Sequence, residues 1–485
     1  MNSFRAYKDL DGSPGEWWVP GSDVRIAGSL SRKTNNGGWE LRVLGDLSPD
    51  YEIARVINLG VNATLHGIGP LGPVTVFGAE MTGRYREFPD SHFSSQQRRV
   101  EVVWFFTDLY VGGHFTPDQQ WGGAAFELPG FAQWISGIGY ELEGDLAACG
   151  SMTAQIPDGS VTAWWRDIHD SETRGLRVEG HGGYALHSES GMSLARIDMI
   201  TQALRNLNNI MCSSFASPIE FTLLPHRGEP DAPVQRLRGQ VTPHQDAGHL
   251  TAFLSIRDID FTTFIPKWIE IHETAPKWPT FGPHPDSAGY IETEFVAAVN
   301  EAESLAKIFG VTRDSLSQNE KTILEAIEKV LNSKQKARVK MALDQVRNRL
   351  ATVLEALVDV ATPAFYEDFF PDPKAWGLVV SKARHALSHG LDPEAHPSEA
   401  KNPQALMHLT TTVQAVKKLA ALHAAGYKYE ELTEVDNSFN QRFDTVRFRN
   451  KNSALGEEVS VIQYASTIWM HSRESDENTR EDLTP

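Results

Sequence analysis

Apolar and polar positions along this chain follow two periods, and the change between them falls near residue 290. Before it, the dominant repeat is two. Val24-Arg-Ile26-Ala-Gly-Ser-Leu30, Trp39-Glu-Leu41-Arg-Val43 and Pro73-Val74-Thr-Val76-Phe77 alternate as half-buried strands do. Val100-Glu-Val102-Val103-Trp104-Phe105-Phe106, Ser160-Val-Thr-Ala-Trp164-Trp165, Leu176-Arg-Val178, Tyr184-Ala-Leu186 and Ile219-Glu-Phe221-Thr-Leu223 extend the series. Clusters such as Lys33-Thr-Asn-Asn-Gly-Gly38 and Gly67-Ile-Gly-Pro-Leu-Gly-Pro73 separate the strands as turns. One helix interrupts, with Leu194, Ile197, Ile200, Leu204, Leu207 and Met211 at helical spacing. Strands at this spacing predict antiparallel sheets, as a sandwich or an open barrel.

After it, the period becomes helical. Phe295, Val299, Ala302, Ala306 and Phe309 step by fours and threes, and Gly310 ends the helix. Ser317-Gln-Asn-Glu320 is a capping-box pattern ahead of Ile323, Leu324, Ile327, Val330 and Leu331. Val339, Leu343, Val346, Leu350, Val353, Leu357 and Val360 hold the rhythm up to Pro363 and read as core. Trp376, Val379, Val380, Ala383 and Leu387 form the apolar side of a further helix, stopped by Gly390. Asn402-Pro403 then opens one carrying Leu406, Leu409, Val413, Val416 and Ala420. Five amphipathic helices with short links predict a bundle.

The predicted fold is thus α+β in two domains. A β-rich domain covers 1–273, a Pro/Gly-rich linker 274–290, an all-α domain 291–470 and a polar, disordered tail 471–485. Whether 1–273 is one domain or two, with a seam near 150–160, stays open at this level.

Charge alters this picture in one respect. The net charge of −18 opposes general binding to nucleic acid. Residues 296–470, however, hold 21 Lys and Arg against 22 Asp and Glu, a balance of −1, so the excess acid lies elsewhere. Segments 316–350 and 438–452 are locally basic and read equally well as RNA-contact faces or as solvated ones. Two cysteines, Cys149 and Cys212, give no disulfide framework. The first residues form no apolar signal core, and no apolar run is long enough to cross a bilayer, so a cytoplasmic location without membrane attachment is expected.

Candidate chemistry concentrates at the end of the helix that starts near Trp376. His385 and His389 are spaced i,i+4, opposite the apolar stripe, and Arg384 lies on the flank. An arginine followed by four to six residues and then a histidine, as at Arg384/His389, is weak evidence alone, since Arg86/His92, Arg174/His181 and Arg238/His244 also fit that pattern in the strand-rich half. Two other readings stand beside a catalytic one. The cations offset the helix dipole on a solvated face. The histidines form an i,i+4 metal pair, although no His-Glu-x-x-His pattern or third ligand accompanies them. Or the residues are a site, and then a metal-free and cofactor-free one. Trp164-Trp165 and Trp104-Phe105-Phe106 read as core before carbohydrate platform, and His181-Gly-Gly183 reads as a turn.

In its bundle, Arg384-His385-Ala-Leu-Ser-His389 resembles the motif of HEPN domains: Arg, a polar residue, three further positions and His. The resemblance covers 291–425. The preceding half is similar to the N-terminal domain of the ApeA group of anti-phage HEPN proteins, through Trp17-Trp18-Val-Pro, the strand pair within Val24–Leu44 and the Gly-rich turn into Val74-Thr-Val76.

The resemblance implies a metal-independent endoribonuclease that halts phage infection. RNA brings its own nucleophile, the 2′-OH, so the protein needs only to move protons and stabilise charge, leaving a cyclic 2′,3′-phosphate. His389 would transfer the proton, since histidine titrates near neutrality. Arg384 would hold the phosphate. His385 would shape the site, contact RNA or share proton transfer, and Lys382 and Ser388 are RNA-binding candidates. Transfer RNA or another structured RNA is the expected substrate, with the β-rich half sensing infection.

Arg384 and His389 lie about 140° apart around an ideal helix, so one copy makes an awkward site and a homodimer through this helix is expected. Two other readings remain: a non-catalytic HEPN scaffold that binds RNA or protein, and a carbohydrate-binding sandwich with a helical dimerisation module.

Overall fold

The computed structural model describes residues 9–33, 37–45, 62–82, 101–131, 134, 149–170, 177–212, 220–238, 259–274, 290–311, 335, 338, 350–361, 373–389 and 403–427. The expected linker (apart from its end residues 274 and 290), the helix after Ser317, the segment 438–452, the helix stop at Gly390 and the polar tail lie outside the described residues.

Among the described residues, the period-two segments become thirteen strands of one antiparallel sheet. They are β1 (Pro14–Trp18), β2 (Ile26–Lys33), β3 (Gly38–Leu44), β4 (Asn62–Gly69), β5 (Gly72–Met81), β6 (Glu101–Phe106), β7 (Asp108–Val111), β8 (Gln120–Glu127), β9 (Cys149–Ile156), β10 (Gly159–Asp170), β11 (Arg177–Ser193), β12 (Phe221–Pro225) and β13 (Val234–Arg238). Their order is β4-β1-β2-β3-β6-β5-β7-β13-β12-β8-β11-β10-β9, and β4 also pairs with β5. The first six strands therefore close on themselves as a barrel, where the alternation predicted a sandwich or an open barrel. The remaining strands run on from β7 as an extension, unbroken across residues 150–160.

Alternation explains the barrel's filling. Trp39, Leu41 and Val43 of β3 and Val102, Trp104 and Phe106 of β6 turn inward with Trp17, Leu65, Val74 and Val76. Trp39 Nε1 donates to the Leu237 carbonyl at 3.2 Å, so the large ring is buried without orphaning its N–H.

Two expectations change here. Trp164 and Trp165 are half-buried, because neighbours on a strand point to opposite faces and one core cannot take both. His181-Gly-Gly183 lies inside β11 and is no turn. A Cβ at Gly182 would meet the Phe131 ring at 2.5 Å, and one at Gly183 the Phe126 carbonyl oxygen at 2.0 Å, so the glycines permit close approach.

The predicted interrupting helix is α1 (Leu194–Cys212). Arg196 grips Asp158 with two hydrogen bonds, of 2.6 and 3.0 Å. Arg236 of β13 joins Asp198 of α1 and, at 2.7 Å, Asp108 of β7, under a nearly buried side chain. These strands and α1 up to Arg205 form one compact unit.

The end of α1 from Asn206, together with the remaining helices, belongs to a second unit. It begins with α2 (Phe261–Thr274), which the strand-dominated reading of the first 290 residues did not contain. Asp260 caps it, accepting from the Thr262 N–H at 3.1 Å, and Phe261, Phe264, Ile265, Trp268, Ile269 and His272 are buried at helical spacing. Pro266 inside this helix is what masks the pattern.

The bundle proper is α3 (Ile291–Ile308), α4 (Leu350–Ala361), α5 (Pro373–His389) and α6 (Pro403–Ala424). Pro403 opens α6 as predicted. Gly310, at φ 60°, closes α3: Val311 N donates to Ala306 O at 2.9 Å and Gly310 N to Lys307 O at 3.1 Å. Among the described residues, no helix is long and apolar enough to cross a membrane.

Candidate active site

Helix α5 carries the residues singled out by the sequence, and its buried side decides how they are presented. Trp376, Val380 and Ala383 are inaccessible to solvent or nearly so, and Val379 and Leu387 are half-buried. Trp376 Nε1 donates to Thr412 Oγ1 of α6 at 3.0 Å, and that hydroxyl donates in turn to the Leu409 carbonyl at 2.8 Å. This satisfied pair anchors the start of α5 against α6. Gly377, next along, brings α5 onto α4: a Cβ there would lie 2.5 Å from the Ala351 carbonyl oxygen.

With that side held, the opposite face turns outward. Lys374, Leu378, Lys382, His385 and Ser388 are exposed, Leu378 at 45%. They succeed one another at steps of three and four and so form a single stripe along the helix. The backbone of His389 is the last turn of α5. The C-terminal end of a helix carries partial negative charge, which favours cations such as Arg384 there.

Arg384 occupies the flank, half-buried, as the periodicity indicated. Its guanidinium does not simply face water. Nη2 donates to Oδ1 of Asn300, on α3, at 3.1 Å. Arginine has no acceptor, so the Asn300 atom facing it must be the oxygen. Arg384 Nε is buried and has no acceptor among the described residues.

Asn300 was absent from the sequence reading, and so was its neighbour Glu301. Glu301 pairs with the fully buried Lys417 ammonium of α6. Burial pushes Lys417 below the usual lysine range, opposed by the Glu301 carboxylate. Two consecutive residues of α3 thus point to different partners, Asn300 to α5 and Glu301 to α6. The available signal was an asparagine in mid-helix, a residue that prefers caps and turns and so needs a reason to be there.

Of the other arginines and histidines with this pattern, Arg86, His92, Arg174 and His244 lie outside the described residues. Arg238 lies on β13 and contacts Asp108 at 3.3 Å. His181 approaches Glu127 at 3.3 Å on the sheet. Among the described residues, no three His, Cys, Asp or Glu side chains gather as a metal site would require.

Residues 296–431 match the family model described as Apea-like HEPN. The match runs from within α3 through α6 and therefore takes in Asn300, Glu301, Arg384, His385, His389 and Lys417. No curated protein matches the chain, and no solved structure does.

Proposed function

We propose that this protein, whose residues 296–431 match the Apea-like HEPN family model, is an anti-phage ribonuclease acting without a metal ion. The observation that carries the reading is the placement of Arg384: a guanidinium at the end of a buried-sided helix, one edge on the neutral Asn300 acceptor.

In the proposed reaction the substrate's 2′-OH attacks the adjacent phosphorus. His389 takes or relays the proton, and Arg384 stabilises the negative charge that builds on the phosphoryl oxygens. The 5′-oxygen leaves, and a cyclic 2′,3′-phosphate remains. Lys382 and Ser388, exposed on the stripe with His385, would meet the RNA backbone. Structured RNA, transfer RNA first, is the substrate class proposed.

Two copies supply the geometry that one lacks. Five residues of an ideal helix turn through about 140°, the separation expected between Arg384 and His389, and a two-fold axis beside α5 would bring both pairs into one cleft. Exposed Leu378, in a stripe otherwise polar, fits such a contact. The barrel and its extension are proposed as the part that senses infection, in a layout of 1–273 sensor, 274–290 linker and 291–470 ribonuclease.

The test uses cells carrying the wild-type chain, Arg384→Ala or His389→Ala, with and without phage, and sequences RNA ends. Both substitutions should abolish new ends and protection. If RNA cleavage and protection survive in both, the ribonuclease reading is wrong. Protection without cleavage in the wild type would point to the scaffold reading.

A further inference from the structure

The contact between Arg384 and Asn300 raises a question of chemistry, because a carboxylate would hold a guanidinium more tightly than an amide does. A charged partner stands immediately beside it. Glu301 follows Asn300 on α3, yet its carboxylate is engaged by Lys417, on the side of α6. The bundle therefore places a neutral acceptor against the arginine and commits the adjacent anion elsewhere.

The consequence is specific to a cation that must act on phosphate. An amide oxygen takes one N–H of the guanidinium and fixes its plane while leaving the full positive charge. A carboxylate in the same place would fix the plane equally well and offset that charge before substrate arrived. Asn300 is itself exposed, so its polar side chain is not required to fill the core. The Glu301–Lys417 pair ties the next position of α3 to α6, while the buried face of α3, from Phe295 to Ala306, leaves Asn300 outward.

We propose that Asn300 is a positioning residue for the ribonuclease reaction: its amide oxygen orients Arg384 and, by being neutral, preserves the charge that the transition state needs. This rests on the ribonuclease reading and assigns a role within it.

The isosteric substitution separates orientation from charge. RNA ends are counted in phage-challenged cells carrying the full chain at matched protein level, and thermal midpoints are taken on the purified full chain. Asn300→Ala should lower cleavage about 10- to 100-fold, as loss of positioning near a reacting centre does. Asn300→Gln, which keeps a neutral acceptor, should recover most of that loss. Asn300→Asp should cleave no better than Asn300→Ala while its thermal midpoint is at least that of the wild type.

A purely structural contact would give the reverse order, with the aspartate variant stable and active. Wild-type cleavage in Asn300→Asp or Asn300→Ala, or no recovery in Asn300→Gln, overturns the proposal. The control is Arg384→Ala. If it is inactive and the Asn300 variants are unaffected, the inference about Asn300 alone falls. If it cleaves as the wild type does, the ribonuclease reading falls, and the inference with it.

Discussion

His272 shows what a single buried residue does to this protein. It lies on α2 with its ring 4.7 Å from that of Trp268. Nδ1 donates to the Trp268 carbonyl at 3.0 Å, and Nε2 accepts from the Asn206 amide at 3.3 Å, so the two bonds together define one neutral tautomer. Burial pushes its pKa down to about 4 from an ordinary 6.5. Between those values the unfolded chain binds a proton that the folded chain refuses. The contribution to stability is therefore complete above pH 6.5 and lost as the pH falls towards 4, to the extent of about 3 kcal/mol. Urea unfolding at pH 7 and pH 5 measures it: the wild type should lose stability over that interval, and His272→Gln should lose less. Equal pH slopes in the two proteins would refute the assignment.

At the scale of elements, the bundle depends on how closely α5 approaches α4. Gly377 is the contact point, and the atom a Cβ would strike is the backbone oxygen of Ala351, which no side-chain rotation can move away. Gly377→Ala would gain about 1 kcal/mol from helix propensity on an isolated helix. Here the overpacking should prevail, with a net loss of about 1–3 kcal/mol and a displaced α5. Chemical denaturation reads the first effect and RNA cleavage the second. A variant as stable and as active as the wild type would show that the helices separate freely at this point. The same approach aims Arg384, so stability and activity should fall together here, whereas in Asn300→Asp activity should fall alone.

At the scale of the whole molecule, the proposed composite site fixes the number of chains in the active species at two. If the site is completed across a two-fold axis, the purified protein should run at twice the chain mass, and cleavage per chain should decline as the protein is diluted below its dissociation constant. Leu378→Glu places a charge on the exposed apolar position of α5. It should shift the population to monomers and remove cleavage while the monomer keeps its fold, as circular dichroism would show. A monomer that cleaves at the wild-type rate would rule out the composite site.

Much of this was legible in the chain itself. Period two against period 3.6 separates a sheet-forming half from a bundle-forming half, because alternation and helical spacing each bury one face and cannot be exchanged. Local signals were equally readable: Pro403 at a helix start, Gly310 at a helix end, and Arg384 with His385 outside the apolar stripe of α5. Three features needed the tertiary structure. Closure of β1–β6 into a barrel depends on β4 pairing with both β1 and β5, and alternation does not specify which strands are neighbours. Helix α2 was hidden because Pro266 argues locally against a helix that the burial of Phe264, Trp268 and Ile269 nevertheless sustains. Asn300 met Arg384 across 84 residues of sequence. Periodicity places a residue on a face of its own helix. Which residue of another helix it meets is set by packing between helices.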